Sequence, residues 1–397
     1  FYTEKWDREN CEPHSVFLSQ GDYPIKGLHY MLLALPQILK KYPDTRVYVA
    51  GNSCVGDGSV IKTLKLSAYG RFLRGLIGKY HLEEHVCFLG RLNAEQMKRQ
   101  YLKSNLFVCC SSIENSPNSL GEAMLLGVPC VSADVGGIAG IFTDGEDGIL
   151  YKGFEAGVST LKQNAHNLAE SVIRMFADDE GANRYTQNAR QHAMRTHDKE
   201  KNYAKLIEIY KKIDSAAGRT ESSQSEEDSG AGGNEDLFVF VSNYINHHQI
   251  PFCNAMYEHL SQNFVFIQTE KMEEERVRMG WQEKNELPYV KYYYEQPGEC
   301  AELIDKAQVV LFGGVDDESY IAGRLESGKA VVRYSERLYK EGQWKAVSPR
   351  GLIKKYHDHT RYQNAPVYLL CAGAYVPSDF HIIHAYRGKM LKWGYFP

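Results

Sequence analysis

Short apolar runs alternate along this chain with longer stretches whose apolar positions recur every three or four residues. In the first half "HSVFLSQ", "RVYVAGN", "HVCFLG", "NLFVCC" and "PCVSAD" have the length and β-branched or aromatic content of strands. Between them "GLHYMLLALPQILKKY", "NAEQMKRQYLKS" and "NSLGEAMLLG" carry a helical period. The second half repeats the alternation, with "DLFVFVSN", "NFVFIQT", "AQVVLFGG", "AVVRYS" and "PVYLLCAG" in the strand positions. Runs that are apolar at consecutive positions, and not at every second one, predict strands buried on both faces.

Parallel strands covered on both sides by helices follow from that pattern, so each half is expected to be a Rossmann-like α/β domain. Between them, residues 214–236 read "DSAAGRTESSQSEEDSGAGGNED", rich in Ser, Gly and acids and almost empty of large apolar side chains. Such a segment buries too little surface to offset its ordering entropy, so it reads as a flexible acidic linker. The domains are then 1–213 and 237–397. A random coil of that length spans about 25 Å, enough for the halves to close face to face.

Composition narrows the function classes. The 397 residues are 43% hydrophobic and 24% charged, ordinary for globular domains, and the formal charge of −4 supplies no basic field that would draw nucleic acid. The nine cysteines include no C-x-x-C pair, and several lie in apolar runs, as expected of reduced, buried thiols in a cytoplasmic protein. No run approaches the length of a membrane span, and "FYTEKWDREN" lacks the profile of a signal peptide. Peripheral contact with a membrane stays open. A chain opening at Phe1 without methionine reads as a processed or shortened form.

The stretch "ENSPNSLGE" places Glu114 and Glu122 eight positions apart around a predicted helix start. Ser116 before Pro117 suits an N-cap followed by the first helical position, and Gly127 with Pro129 beyond it ends the helix. Amides near Asn118, Ser119 and Leu120 would then face the sheet's carboxyl edge, where a helix N-terminus binds phosphate. Glu122 falls roughly 7 Å along the axis, comparable to the span from a nucleotide's phosphate to its ribose. Glu114 precedes the helix, on the loop where ligands of open α/β sheets bind. Two glutamates at this spacing also occur by chance, so their surroundings decide the reading.

Those surroundings resemble the donor-binding domain of family 4 retaining glycosyltransferases, which have the GT-B fold. The likeness rests on E-x7-E after "NLFVCCSSIE" and before "EAMLLGVPCVSADVGGIAGIFTDGEDGILY", and covers residues 14 to about 213. "FLSQGDYPIKGLHYMLLAL" is similar to the family's first strand and phosphate-binding loop, which implies a diphosphate contact for Lys26 and the following Gly27. "RVYVAGN" matches the strand ending at Gly51, and Gly136 and Gly137 match a Gly-Gly loop near the donor. "KNYAKLIEIYKKI" looks like the closing helix. The resemblance implies Glu114 on the transferred sugar, Glu122 on the ribose, and Ser119 and Leu120 amides on the diphosphate of a nucleotide-sugar donor, a UDP-sugar first among them. One departure stands out: the family's Gly-Arg before the lysine is replaced by Gln20 and Gly21. A solvated loop lysine and an ordinary Gly-Gly turn are the plainer readings of Lys26 and of Gly136 and Gly137.

Residues 235 to 397 resemble, more loosely, the acceptor domain of the same type of enzyme, without an E-x7-E. His247 and His248 in the first strand-to-helix loop, and Glu336 after "VVRYS", are the candidates for contact with a saccharide or lipid-linked acceptor. Exposed loop histidines or a helix cap are equally consistent with the first pair. Asp316, Asp317 and Glu318 read as a helix-start charge group. The order, donor domain before acceptor domain, is the reverse of the family's, and a circular permutation and a fusion of parts of two transferases both account for it. No metal is expected: there is no Asp-x-Asp pair, and His357 and His359 lack the spacing of a zinc set. No cofactor is implied either. A nicotinamide-dependent oxidoreductase is disfavoured because neither first strand is followed by G-x-G-x-x-G. The alternatives left are a transferase working at the inner face of a membrane or in the cytoplasm, a nucleotide-sugar or sugar binding module without turnover, and an inactive fusion of parts of two transferases.

Overall fold

The computed structural model describes residues 2–52, 67–153, 161–198, 201, 204, 208, 237–246, 249–274, 277, 286–339, 348–373 and 375–393. The chain divides into two compact units, residues 1–196 and 197–396. The segment read as a linker lies outside the described residues, and so do His247 and His248 and most of "KNYAKLIEIYKKI".

The first unit is built on six parallel strands, β1 (Glu12–Leu18), β2 (Arg46–Ala50), β3 (Val86–Gly90), β4 (Ser104–Cys109), β5 (Cys130–Ala133) and β6 (Ile149–Tyr151). Their order across the sheet is β3-β2-β1-β4-β5-β6. The two halves of the sheet therefore wind in opposite directions from the β1–β4 pair, whose register sets Val16 beside Leu106 and Phe17 beside Phe107. Helices α1 (Leu28–Leu39), α2 (Ala68–Tyr80), α3 (Ala94–Lys103), α4 (Asn118–Leu126), α5 (Leu161–Ala177) and α6 (Asp179–Thr196) accompany them. Every residue of β4 is buried, which is why its sequence carries no alternation. Helix α3 opens on a capping box in which Asn93 and Gln96 satisfy each other's backbone amides.

The second unit carries seven parallel strands, β7 (Phe238–Ser242), β8 (Phe264–Gln268), β9 (Val290–Tyr292), β10 (Val309–Phe312), β11 (Val331–Ser335), β12 (Val367–Ala372) and β13 (Met390–Trp393). Their order is β13-β12-β11-β10-β7-β8-β9. Counted from its own first strand, this sheet repeats the arrangement of the other unit and adds one strand at an edge. Its two faces bury separate clusters: Val239 and Val241 belong to one, Phe238 and Phe240 to the other. Both units are thus parallel α/β sheets of Rossmann type, as the alternation of runs predicts. Strands β6, β9 and β13 were not among the predicted runs. All three are edge strands of three or four residues, and β9 and β13 are only half-buried, so their apolar signal is short and weak.

Candidate functional site

Open α/β sheets bind ligands at the carboxyl ends of strands where the winding direction reverses. In the first unit that place is the β1–β4 junction. Beyond β1 the chain makes a single 3-10 turn at Pro24–Lys26 and enters α1 through Gly27, whose φ is 78°. A Cβ at Gly27 would stand 1.9 Å from the Cys110 carbonyl oxygen, so only glycine lets the two loops close on each other. The Ser112 amide donates to the Ile25 carbonyl at 2.8 Å and ties the same loops together.

This closure brings Lys26 and Glu114, distant in sequence, into contact. The Lys26 ammonium lies 2.7 Å from Glu114 Oε1, and Ser111 Oγ donates to that same oxygen at 2.7 Å. Glu114 is nearly buried, its side chain 10% exposed, whereas Lys26 is more open at 29%. Below them the thiol of Cys109 is pushed up to about 11, chiefly by burial and further by the Glu114 charge. The loop beyond β5 grips the Glu114 loop from the other side. Gly137 donates its amide to the Glu114 carbonyl at 3.0 Å. Cβ atoms on Gly136 and Gly137 would stand 1.8 Å from the carbonyl oxygens of Glu114 and Asn115 respectively. The Gly-Gly pair is therefore more than a turn: it clasps the backbone that carries Glu114. Asn115 Nδ2 is buried here and has no acceptor among the described residues.

Helix α4 starts one residue later than expected. Pro117 is the N-cap, and no side chain, Ser116 included, caps the helix. The Pro117 carbonyl instead accepts from the Leu120 amide at 3.1 Å and the Gly121 amide at 3.3 Å. Leu120 is thus not an amide offered to phosphate: it is turned back onto Pro117, and its side chain is wholly buried. Ser119 is not so engaged. Glu122, the fifth residue of α4, accepts at Oε2 from the Tyr101 hydroxyl at 3.2 Å, and the same hydroxyl meets the Ser119 carbonyl at 3.0 Å. Burial raises the Glu122 carboxyl to about 7, against the lowering effect of the Tyr101 hydrogen bond. A group poised there changes charge when a ligand donates hydrogen bonds to it.

Gly51, just past the end of β2, has φ 99°, and its amide donates to the Gly90 carbonyl at 3.0 Å. Beside it a polar chain that the sequence reading did not foresee crosses the strand ends. Arg91 Nε donates to Asn52 Oδ1 at 2.6 Å, and Asn52 Nδ2 donates to Asp22 Oδ2 at 3.2 Å. Gly21, one of the two residues in place of the Gly-Arg that the resemblance led one to expect, is packed so closely that a Cβ would lie 2.4 Å from Val49 Cγ1. A larger side chain at this position would have to displace Val49 or Leu28.

The second unit has its own winding reversal, between β7 and β10, and hydrogen-bonded side chains occupy it. Gln249 Nε2 lies 3.3 Å from the Tyr334 hydroxyl and 3.4 Å from Ser242 Oγ. A Cβ on Gly314 would stand 2.9 Å from that Ser242 Oγ. Glu336 follows β11, half-buried, with its carbonyl accepting from Ser335 Oγ at 2.8 Å. The acidic cluster acts as read: Asp317 caps the short helix Glu318–Ile321 through the Ser319 amide. Among the described residues no group of three or more His, Cys, Asp or Glu is arranged to hold a metal ion. His359 is half-buried, its imidazole pushed down to about 2 by desolvation and by the nearby Arg333, with Nδ1 2.8 Å from the Tyr386 hydroxyl.

Against known proteins, the putative glycosyltransferase YtcC of Bacillus subtilis is 28% identical over 184 residues, 46% of this chain and 41% of that protein. Phosphatidyl-myo-inositol mannosyltransferase of Mycobacterium tuberculosis is 26% identical over 200 residues, 50% of this chain and 47% of that protein. The crystal structure of Anabaena HepE in complex with UDP and glucose aligns with 46% of this chain and 44% of that one, at 23% identity and a TM-score of 0.38. The chain spans less than half the length of the curated relatives it matches. The stretch holding Lys26, Glu114 and α4, residues 4–192, matches the family described as glycosyl transferases group 1.

Proposed function

We propose that the first unit binds a nucleoside diphosphate sugar at the β1–β4 junction and that the protein transfers the sugar, with retention of its anomeric configuration, to a saccharide or glycolipid acceptor. The observation that carries this reading is the Lys26–Glu114 ion pair, held by Ser111 at the winding reversal beside the start of α4. The family match over residues 4–192 and the names of the relatives support the same reaction class. In the ligand-free protein the lysine is neutralised by Glu114. An arriving diphosphate competes for the ammonium and, with the Ser119 amide, holds the charge that builds on the leaving group; such preorganised charge supplies most of the rate in reactions of this kind. Freed from the lysine, the Glu114 carboxylate faces the transferred sugar, and Glu122 receives the ribose hydroxyls. No step calls for a metal or cofactor. Residues of the second unit, His247 and Glu336 among them, are the acceptor-side candidates, whether the two units descend from one permuted enzyme or from two.

Incubation with UDP-, GDP- and ADP-sugars, with release of the nucleoside diphosphate as the readout, tests this. Turnover is expected with at least one donor. Glu114→Gln, which keeps the site's shape, should lower it by about 100-fold or more while nucleotide affinity holds or rises, because the ammonium loses its competing carboxylate. Lys26→Met should weaken the nucleotide itself by roughly tenfold or more. A second reading, nucleotide binding without turnover, is favoured by Gln20 and Gly21 in place of the family's Gly-Arg; it wins if affinity is high and no donor is consumed. Absence of any nucleotide binding sinks both.

A further inference from the structure

In the second unit a helix stands inside out. The segment Pro349–Asp358 (α7 to α9 being Ile250–Leu260, Pro297–Lys306 and Ala322–Glu326, this one is α10) has no buried residue along its length. Its large apolar side chains point to solvent: Leu352 is 43% exposed, Ile353 60% and Tyr356 55%. At about 100° per residue these three and Pro349 form one stripe. Gly351, Lys355 and Asp358, less exposed, occupy the opposite side. That opposite side is the one bound to the unit. The Asp358 carbonyl accepts from buried Arg333, and the next residue, His359, packs its ring against Phe380 at 5.2 Å between centroids. Folding thus secures the polar side of the helix and leaves the apolar side outward, the reverse of an ordinary surface helix.

The flanks of the stripe are basic. Arg350 and Lys354 edge the stripe, Lys354 with its ammonium 3.0 Å from Asp358, the one acid between residues 349 and 361 of a chain whose net charge is −4. An outward apolar stripe on a short helix, edged by lysine and arginine, has the chemistry that seats a helix at a lipid–water boundary and draws it to anionic headgroups. The basic edge selects an anionic bilayer as the occupant, since it adds charge complementarity to the apolar stripe. We propose that α10 docks the second unit on an anionic lipid bilayer, with Leu352, Ile353 and Tyr356 entering the headgroup region and the flanking basic residues pairing with lipid phosphates. This inference stands on the second unit alone and does not depend on the nucleotide reading.

Sedimentation of the full chain with vesicles decides it. Binding is expected to vesicles of phosphatidylcholine containing about a quarter phosphatidylglycerol, falling as salt is raised, and little to phosphatidylcholine alone. Ile353→Glu with Tyr356→Glu should abolish it while leaving Tm and circular dichroism unchanged, since both side chains are already in solvent. Arg350→Ala with Lys354→Ala should weaken it roughly 25-fold, taking about fivefold per basic residue. Equal sedimentation of the wild type and the glutamate variant would overturn the proposal, and so would failure of the wild type to bind anionic vesicles at low salt. A dimer by light scattering that the glutamate variant dissolves would also overturn it, by giving the stripe to a second copy of the chain.

Discussion

Glu122 holds its proton to about pH 7 because the folded chain offers its carboxylate little water, and the single hydroxyl of Tyr101 does not make up the loss. An unfolded chain releases that proton near the ordinary value of 4.5. Between those values the folded state binds more protons than the unfolded one, so stability falls as pH rises through that window and levels off above it. Melting curves from about pH 5 to about pH 8 should show this loss in the wild type, and Glu122→Gln should remove that part of the slope. If the two profiles coincide, the carboxyl is not shifted. Ribose hydroxyls donating to Glu122 would favour the charged form, so nucleotide affinity should drop by up to about tenfold per unit below pH 7, a dependence that Glu122→Gln loses. Little of this was legible beforehand: the spacing of Glu114 and Glu122 marks both as candidates, but neither the burial of Glu122 nor its Tyr101 partner on another helix can be read from that spacing. Lys26 shows the reverse case, since its motif identifies it and the structure then adds Ser111 and the Gly136–Gly137 clasp.

Helix ends and short strands separate what pattern can reach from what it cannot. The long apolar runs became β7, β8 and β12 and the apolar parts of β1 and β4, because strand segments buried on both faces are apolar at consecutive positions. Edge strands β9 and β13 escaped because half their surface faces water. The start of α4 moved by one residue because the Pro117 carbonyl, free to accept, did what a capping side chain was expected to do. Arg324 was also invisible in the pattern. It lies in α9, 3% exposed, and its guanidinium donates to the carbonyls of Ile304, Asp305, Ala307, Gln308 and Ala330. It therefore gathers the end of α8 and the approaches to β10 and β11 with one cation, and burial lowers it to about 10. Arg324→Met keeps the stem but strands these carbonyls, each a buried acceptor costing about 1 kcal/mol or more when unpaired. The second unit should lose roughly 3 kcal/mol in urea denaturation; a loss under about 1 kcal/mol would mean that water serves the carbonyls equally well.

Both units reach the same strand order, and the difference between them lies at the winding reversal. In the first, an ion pair and a helix start without a side-chain cap meet there; in the second, Gln249, Tyr334 and Ser242 bind one another across it. A nucleotide should therefore stabilise the first unit and not the second. At a concentration of about 100 Kd the gain is about 2.7 kcal/mol, and for a unit of this size that raises Tm by roughly 5 to 10 °C. Each unit has its own hydrophobic clusters, so calorimetry should resolve two transitions. Arg324→Met identifies the second unit's transition by lowering it, and nucleotide should move the other. Should the nucleotide raise the transition that Arg324→Met lowers, the binding site belongs to the second sheet, and the Lys26–Glu114 pair is a structural clasp between two loops.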